Sequence, residues 1–84
     1  MYKLTYNHLV AKDVRRLPRN IRDIIGNAIA DRLAFDPFRH SIPLKYGLEG
    51  FRRMRVGGYR IIFTIDKDTL IIHRIRHRKD AYEF

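Results

Sequence analysis

The stretch that most constrains the fold is Phe51 to Phe63, where two runs rich in β-branched and aromatic residues flank Gly57-Gly58. Paired glycines suit a two-residue hairpin turn, whose central residues need positive φ angles. With the glycines as the loop, Val56 faces Tyr59, Arg55 faces Arg60, Met54 faces Ile61 and Arg53 faces Ile62. Alternation along each strand then gathers Met54, Val56, Tyr59, Ile61 and Phe63 on one face, and Arg53, Arg55 and Arg60 on the other. Like charges directly opposite one another destabilise a sheet. Folding alone does not place Arg55 against Arg60, so the arrangement implies a bound anion.

Around the hairpin the chain reads β-α-α-β-β-β. Tyr2, Leu4 and Tyr6 alternate with Lys3 and Thr5, which predicts a short strand. Asn7 suits an N-cap, and Leu9, Val10, Val14 and Leu17 follow at helical spacing. Pro18 ends that helix and opens the next. The second helix carries the stripe Ile21, Ile24, Ile25, Ala28, Ile29 and Leu33, and is closed by Pro37. Residues 38–50 are irregular, punctuated by Pro43, Gly47 and Gly50, with an extended piece around Ile42 to Lys45. After the hairpin, Asp66-Lys67-Asp68 predicts a three-residue turn and Thr69 to Arg76 a last strand. That loop pairs Ile65 with Thr69, Phe63 with Ile71, Ile61 with His73 and Tyr59 with Ile75. It adds Arg74 and Arg76 to the arginine face, leaves Leu70 and Ile72 there as well, and turns His73 into the core. The expected fold is α+β: an antiparallel sheet of about four strands with a helical hairpin on one face, in one small domain spanning residues 1–84.

A chain of 84 residues supports one modest core. Its net charge is +9, from 18 Lys and Arg against 9 Asp and Glu, with arginine in the majority. Guanidinium groups make bidentate contacts with phosphate, so nucleic acid or an acidic protein is the expected partner. Cysteine is absent, which excludes a disulfide framework and a thiolate metal site. No apolar run is long enough for a membrane span and no signal peptide is visible, so a cytoplasmic protein with no membrane partner is expected. His40 stands isolated in the sequence, and the histidines have no metal-ligand spacing with carboxylates. No phosphate-cradling glycine loop, Ser-His-Asp or Cys-His arrangement is present.

The plain reading of the arginine face is a solvated surface. Arginines converging from three strands favour the other reading, an anion site. Tyr82, in the basic tail, either packs on the fold or, beside several cations, serves in proton transfer. Such a surface suits RNA cleavage, because RNA carries its own 2′-hydroxyl nucleophile. Arginines hold the backbone in line and stabilise charge on the phosphorane, with no metal or other cofactor. The arginine face offers no obvious carboxylate to act as base.

The run Arg53-Met54-Arg55-Val56-Gly57-Gly58-Tyr59-Arg60-Ile61-Ile62-Phe63 resembles the Arg-x-Arg-Val-Gly-Asp-Tyr-Arg-hydrophobic core of the RelE/ParE superfamily of toxins, with Gly58 in place of the aspartate. The ending Ile72 to Tyr82 is similar to that family's His-Arg-x-x-hydrophobic-Tyr tail. Leu17-Pro18, Leu44-Lys45 and Leu48-x-Gly50 fit the same pattern. The resemblance implies a RelE-like toxin held by a cognate antitoxin in a hetero-oligomeric complex. For the RelE branch it implies a ribosome-dependent mRNA endoribonuclease. Such an enzyme cleaves in the A site by 2′-hydroxyl attack, leaves a 2′,3′-cyclic phosphate and inhibits translation, with ribosomal RNA and mRNA as partners. On matched positions it implies catalytic roles for Arg53, Arg60, Arg76 and Tyr82. RNA contacts are implied for Lys45, Arg55, Arg74 and Arg78, with Arg76 and Arg78 both candidates for the tail arginine. The ParE branch implies instead a non-nuclease toxin that inhibits DNA gyrase. A third reading is an inactive basic binding module.

Overall fold

The computed structural model describes residues 1–79. The elements are β1 (Lys3–Tyr6), α1 (His8–Arg15), α2 (Arg19–Ala28), β2 (Ile42–Pro43), β3 (Arg52–Val56), β4 (Tyr59–Asp66) and β5 (Thr69–His77). A π-helical turn, Ile29–Leu33, continues α2, closed by the Ala34 N–H on the Ile29 carbonyl. The sheet has five strands in the order β1-β5-β4-β3-β2. The expected α+β class is observed, with the helices on one face. The sheet is mixed, because β1 lies parallel to the edge of β5. The fifth strand is the two-residue β2, where Ile42 pairs with Arg53 within the piece expected to be extended.

Asn7 joins the first strand to the first helix. Its side-chain oxygen accepts the Leu9 N–H, and its own N–H donates to the Ile72 carbonyl. One capping residue thus fixes both the start of α1 and its angle to the sheet. The core lies between helices and sheet. Val10, Leu17, Ile25, Ala28, Ile29 and Leu33 meet Met54, Ile61, Phe63, Leu70, Ile72 and Ile75. Ile24 was expected in the buried stripe but is 52% exposed. It sits one residue, or about 100°, round the helix from Ile25, beyond the face that meets the sheet.

The β3–β4 register is as expected, from Val56↔Tyr59 through Arg53↔Ile62. Of the two turn glycines only Gly57 has a positive φ, +59°, as a type II′ turn needs. Gly58 answers a different constraint: a Cβ there would lie 3.1 Å from His77 Nε2.

The β4–β5 register corrects the expectation. The turn has two residues, with Lys67 at φ +58°, so Asp66 pairs with Thr69 and Phe63 with Ile72. A bulge follows: Ile62 pairs with Arg74, which leaves His73 as the extra residue on β5. The one-residue shift puts Leu70 and Ile72 in the core, both fully buried, rather than on the arginine face. Without the bulge the same shift would have turned Arg74 and Arg76 inward. With it, Ile75 returns to the core. His73 is turned out of the core, half-buried and hydrogen-bonded to Thr64.

Beyond Tyr6, β1 no longer covers β5, and the Ile75 N–H would be left open. Asp13 of α1 closes it. Its Oδ2 accepts the Ile75 N–H and the Arg74 Nε–H, each at 2.9 Å, and its Oδ1 accepts from Arg74 Nη2 at 3.0 Å. Burial pushes the Asp13 carboxyl up, but the Arg74 hydrogen bond, the Ile75 N–H and the charges of Arg74 and Arg76 outweigh it, and the carboxyl lies below its ordinary value. The Arg74 guanidinium is correspondingly raised, chiefly by its bond to Asp13.

Asp13→Asn should cost about 2–3 kcal/mol, somewhat less than a fully buried pair, because the Arg74 side chain remains 21% exposed. Urea unfolding at neutral pH checks this. The lowered carboxyl adds stability that is fully present above its unfolded pKa of about 4 and is lost as pH falls through the folded value. The gap between wild type and Asp13→Asn should therefore shrink in the same titration carried to about pH 3.

Candidate nucleic-acid interface

The face of the sheet away from the helices is built by strand alternation. Arg55, Arg60 and Arg76 pair across β3, β4 and β5 and form one row. Arg53, Ile62 and Arg74 form the next row, about 7 Å further along the strands. Ile62 is only 6% exposed although it points to this outer face, flanked by its two arginine partners. The aliphatic stems of arginine can shield such a residue while the charged heads stay at the surface.

The charges in this surface are not balanced. The Nε–H groups of Arg53 and Arg60 are buried and have no hydrogen-bond partner among the described residues. Arg53 holds its proton less tightly than an ordinary arginine, first through burial and then through the repulsion of Arg55 and Arg60. A buried unsatisfied donor costs about 1–3 kcal/mol, and more when it is charged. An anion with several acceptor oxygens would satisfy both donors and the repulsion together.

Two cavities adjoin this row and share Arg55. The larger, about 400 Å³, is lined by Arg39, His40, Ser41, Ile42, Arg53 and Arg55. The smaller, about 90 Å³, is lined by Arg55, Gly57, Gly58, Tyr59, Arg60 and Arg78. Arg39 and His40 were not legible as site residues, because the segment that carries them has no periodic pattern. The pairing of Ile42 with Arg53 and the bonds of Arg52 to Ser41 bring it to the arginine face.

The expected site residues separate accordingly. Arg53, Arg55, Arg60 and Arg76 come together. Arg78 joins them at the smaller cavity, held by its backbone N–H on the Gly58 carbonyl at 2.7 Å. Arg74 lies in the row of Arg53 and Ile62, but its guanidinium is held by Asp13. Lys45 is exposed in the loop after β2 and lines neither cavity. Tyr82 lies outside the described residues.

At the other end of the face, the His73 ring packs 5.1 Å from that of Phe51, and its Nε2 is 2.8 Å from Thr64 Oγ1. Burial pushes the His73 imidazole below its ordinary value. His77 is engaged differently: its ring is edge-on to Tyr59 and its Nδ1 accepts the Lys79 N–H. No group of three His, Cys, Asp or Glu converges to hold a metal among the described residues. No helix there is long and apolar enough to cross a membrane. The arrangement can bind and orient phosphate groups and stabilise negative charge that develops on them.

The comparisons with known proteins agree with this geometry. A family model described as the ParE toxin of the type II toxin-antitoxin system parDE matches residues 4–82. The chain is 29% identical to toxin RelE3 of Methanocaldococcus jannaschii, over 98% of its own length and 97% of that protein. It is 30% identical to toxin RelG of Mycobacterium tuberculosis, over 96% of this chain and 95% of that one. In the crystal structure of the toxin-antitoxin complex RelBE2 from Mycobacterium tuberculosis, one chain matches with a TM-score of 0.86 at 29% identity, covering 92% of this chain and 98% of that chain. Fold, sequence and family model therefore coincide over nearly the whole chain, which belongs to the RelE/ParE superfamily of type II toxin-antitoxin toxins.

Proposed function

We propose that this toxin is an mRNA interferase: a ribosome-dependent endoribonuclease that cleaves mRNA in the A site through the message's own 2′-hydroxyl and so stops translation. The observation that carries the reading is the pair of buried Nε–H groups on Arg53 and Arg60, without a partner among the described residues, within the arginine face. A solvated, merely solubilising face does not bury guanidinium nitrogens without acceptors. In this reading Arg53, Arg55 and Arg60 grip the scissile phosphate and stabilise the extra charge of the phosphorane. Arg76 and Arg78 hold the neighbouring backbone, and Tyr82 orients the scissile nucleotide or moves a proton. Arg74 acts at one remove, by fixing the end of β5 through Asp13. Lys45 and the remaining positive charge dock the toxin on ribosomal RNA in the cytoplasm, where association is steered by charge.

Relatives solved as RelB–RelE and RelBE2 complexes support a cognate antitoxin as the partner that restrains this surface, in a hetero-oligomer. The second reading, a toxin that inhibits DNA gyrase, draws on the parDE description of the matching family model.

Primer extension on a defined mRNA, with and without programmed ribosomes, decides between them. Cleavage confined to the A-site codon and dependent on ribosomes is expected. Arg60→Ala and Arg53→Ala should each slow it by about a hundredfold or more. Absence of cleavage by folded, antitoxin-free toxin, together with inhibition of gyrase supercoiling, would establish the second reading instead.

A different substitution at Arg60 tests the stability side of the same reading. In the free protein, Arg60→Met should be neutral or stabilising by up to about 1 kcal/mol, since it removes an unsatisfied buried donor and a like-charge contact. A loss of more than that in urea unfolding would mean the arginine face is structural.

A further inference from the structure

The arginine face has no evident base. Arginine stays protonated at any working pH, and no carboxylate lines either cavity among the described residues. Histidine is the side chain whose charge ordinarily changes between pH 5 and 8. The other histidines are accounted for. His73 is turned onto Thr64 and Phe51, His77 is held by Tyr59 and Lys79, and His8 lies on α1 in a groove with Tyr6 and Val10. His40 alone among them lines the larger arginine cavity, beside Arg53 and Arg55.

The short segment around His40 is tied down on both sides. Asp36 Oδ1 accepts the Arg39 N–H at 3.2 Å. Arg52 donates from Nε to Ser41 Oγ at 2.8 Å and from Nη2 to the Ser41 carbonyl at 3.1 Å. The Ser41 hydroxyl donates in turn to the Pro37 carbonyl. The Arg52 guanidinium also sits 5.0 Å from the centroid of the Phe38 ring. An exposed loop needs no such restraint for its own sake. Loops fixed this way on a rigid scaffold are where reacting side chains are placed.

We propose that His40 is the proton-transfer group of the cleavage reaction, receiving the 2′-hydroxyl proton of an RNA whose phosphate is held by Arg53 and Arg55. The inference rests on the nuclease reading above. The neutral imidazole takes the proton as the 2′-oxygen bonds to phosphorus. The bond from phosphorus to the 5′-oxygen breaks, and that oxygen takes a proton from water. The imidazolium returns its proton to solvent, so the step is balanced and yields a 2′,3′-cyclic phosphate and a 5′-hydroxyl end. The charged groups that line the cavity with His40 are Arg39 on its own segment and Arg53 and Arg55 on β3, while Asp36 and Arg52 are bonded to the residues on either side of it. Those that line the cavity are all cations, which draw an RNA phosphate to the side of the imidazole.

The test is single-turnover cleavage of mRNA on programmed ribosomes, across pH, for wild type, His40→Gln, His40→Ala and the remote control His8→Gln. We expect His40→Gln to cleave at least about a hundredfold more slowly, with ribosome affinity unchanged. If the wild-type rate falls toward acidic pH through this step, that fall should be absent in His40→Gln. Added imidazole should restore part of the rate of His40→Ala but leave His40→Gln, whose side chain fills the space, unchanged. A His40→Gln variant with the wild-type rate and pH profile overturns the inference and leaves the nuclease reading intact. A slow His40→Ala with weakened ribosome binding and no response to imidazole also overturns it, making His40 an RNA contact only. A wild type that does not cleave at all removes the nuclease reading and the inference with it.

Discussion

The last strand must do two incompatible things, and a single carboxylate lets it do both. Its first half has to send Leu70 and Ile72 into the core, and its second half has to send Ile75 inward while Arg74 and Arg76 stay out. Strict alternation cannot satisfy both, so an extra residue enters at His73. The bulge lies where β1 has ended, so the strand beyond it has a free edge. Asp13, 3% exposed on α1, binds that edge through the Ile75 N–H and neutralises Arg74 in the same contact. A backbone donor, a cation and the helix are thereby locked together. The position of Arg76, and so the end of the arginine row, depends on this lock. Two of its three bonds are to a cation, which makes them stronger than neutral hydrogen bonds.

Against that satisfied corner, the neighbouring arginine face is deliberately incomplete. Arg55 opposes Arg60, Arg60 opposes Arg76, and two guanidinium Nε–H groups lie buried without acceptors among the described residues. Local violations of good packing chemistry concentrate where function needs them and are tolerated because the rest of the fold is sound. The apolar core, with Phe63, Ile61, Leu70, Ile72 and Leu33 fully buried, supplies that tolerance here. A surface that is destabilising while empty is also pre-organised for its ligand, because the guanidinium groups need not be gathered when an anion arrives.

The degree to which this was legible in the sequence follows the range of each interaction. The hairpin register follows from local chemistry, since Gly57 dictates the turn and the turn dictates every pair to Arg53↔Ile62. The facing of Arg55 and Arg60 was therefore legible, whereas Arg76 opposite Arg60 was not. The β4–β5 register was not. Asp66-Lys67-Asp68 does not distinguish a two-residue from a three-residue turn, and a bulge leaves no local mark in Ile71-Ile72-His73-Arg74-Ile75. The role of Asp13 could not be read either, because its partners lie more than sixty residues away and its neighbours Lys12, Arg15 and Arg16 make that face of α1 look solvated. His40 looked isolated for a related reason: what brings it to Arg53 is a two-residue strand and a hydroxyl, neither of which has a periodic signature.

Net charge therefore says little about which arginine does what. Arg52 and Arg74 are as cationic as Arg53 and Arg60, and all four sit half-buried in the same part of the sheet. The difference lies in whether the chain supplies the acceptor. Arg52 has the Ser41 hydroxyl and carbonyl and the face of Phe38, and Arg74 has both oxygens of Asp13. These two are complete, and each holds in place a segment that borders the open face: Arg52 the loop of His40, Arg74 the end of β5. The Nε–H groups of Arg53 and Arg60 lack partners among the described residues and stay open to an acceptor such as a phosphate oxygen. Arginines of one kind build the frame and arginines of the other kind face the ligand, and only the hydrogen-bond accounting separates them.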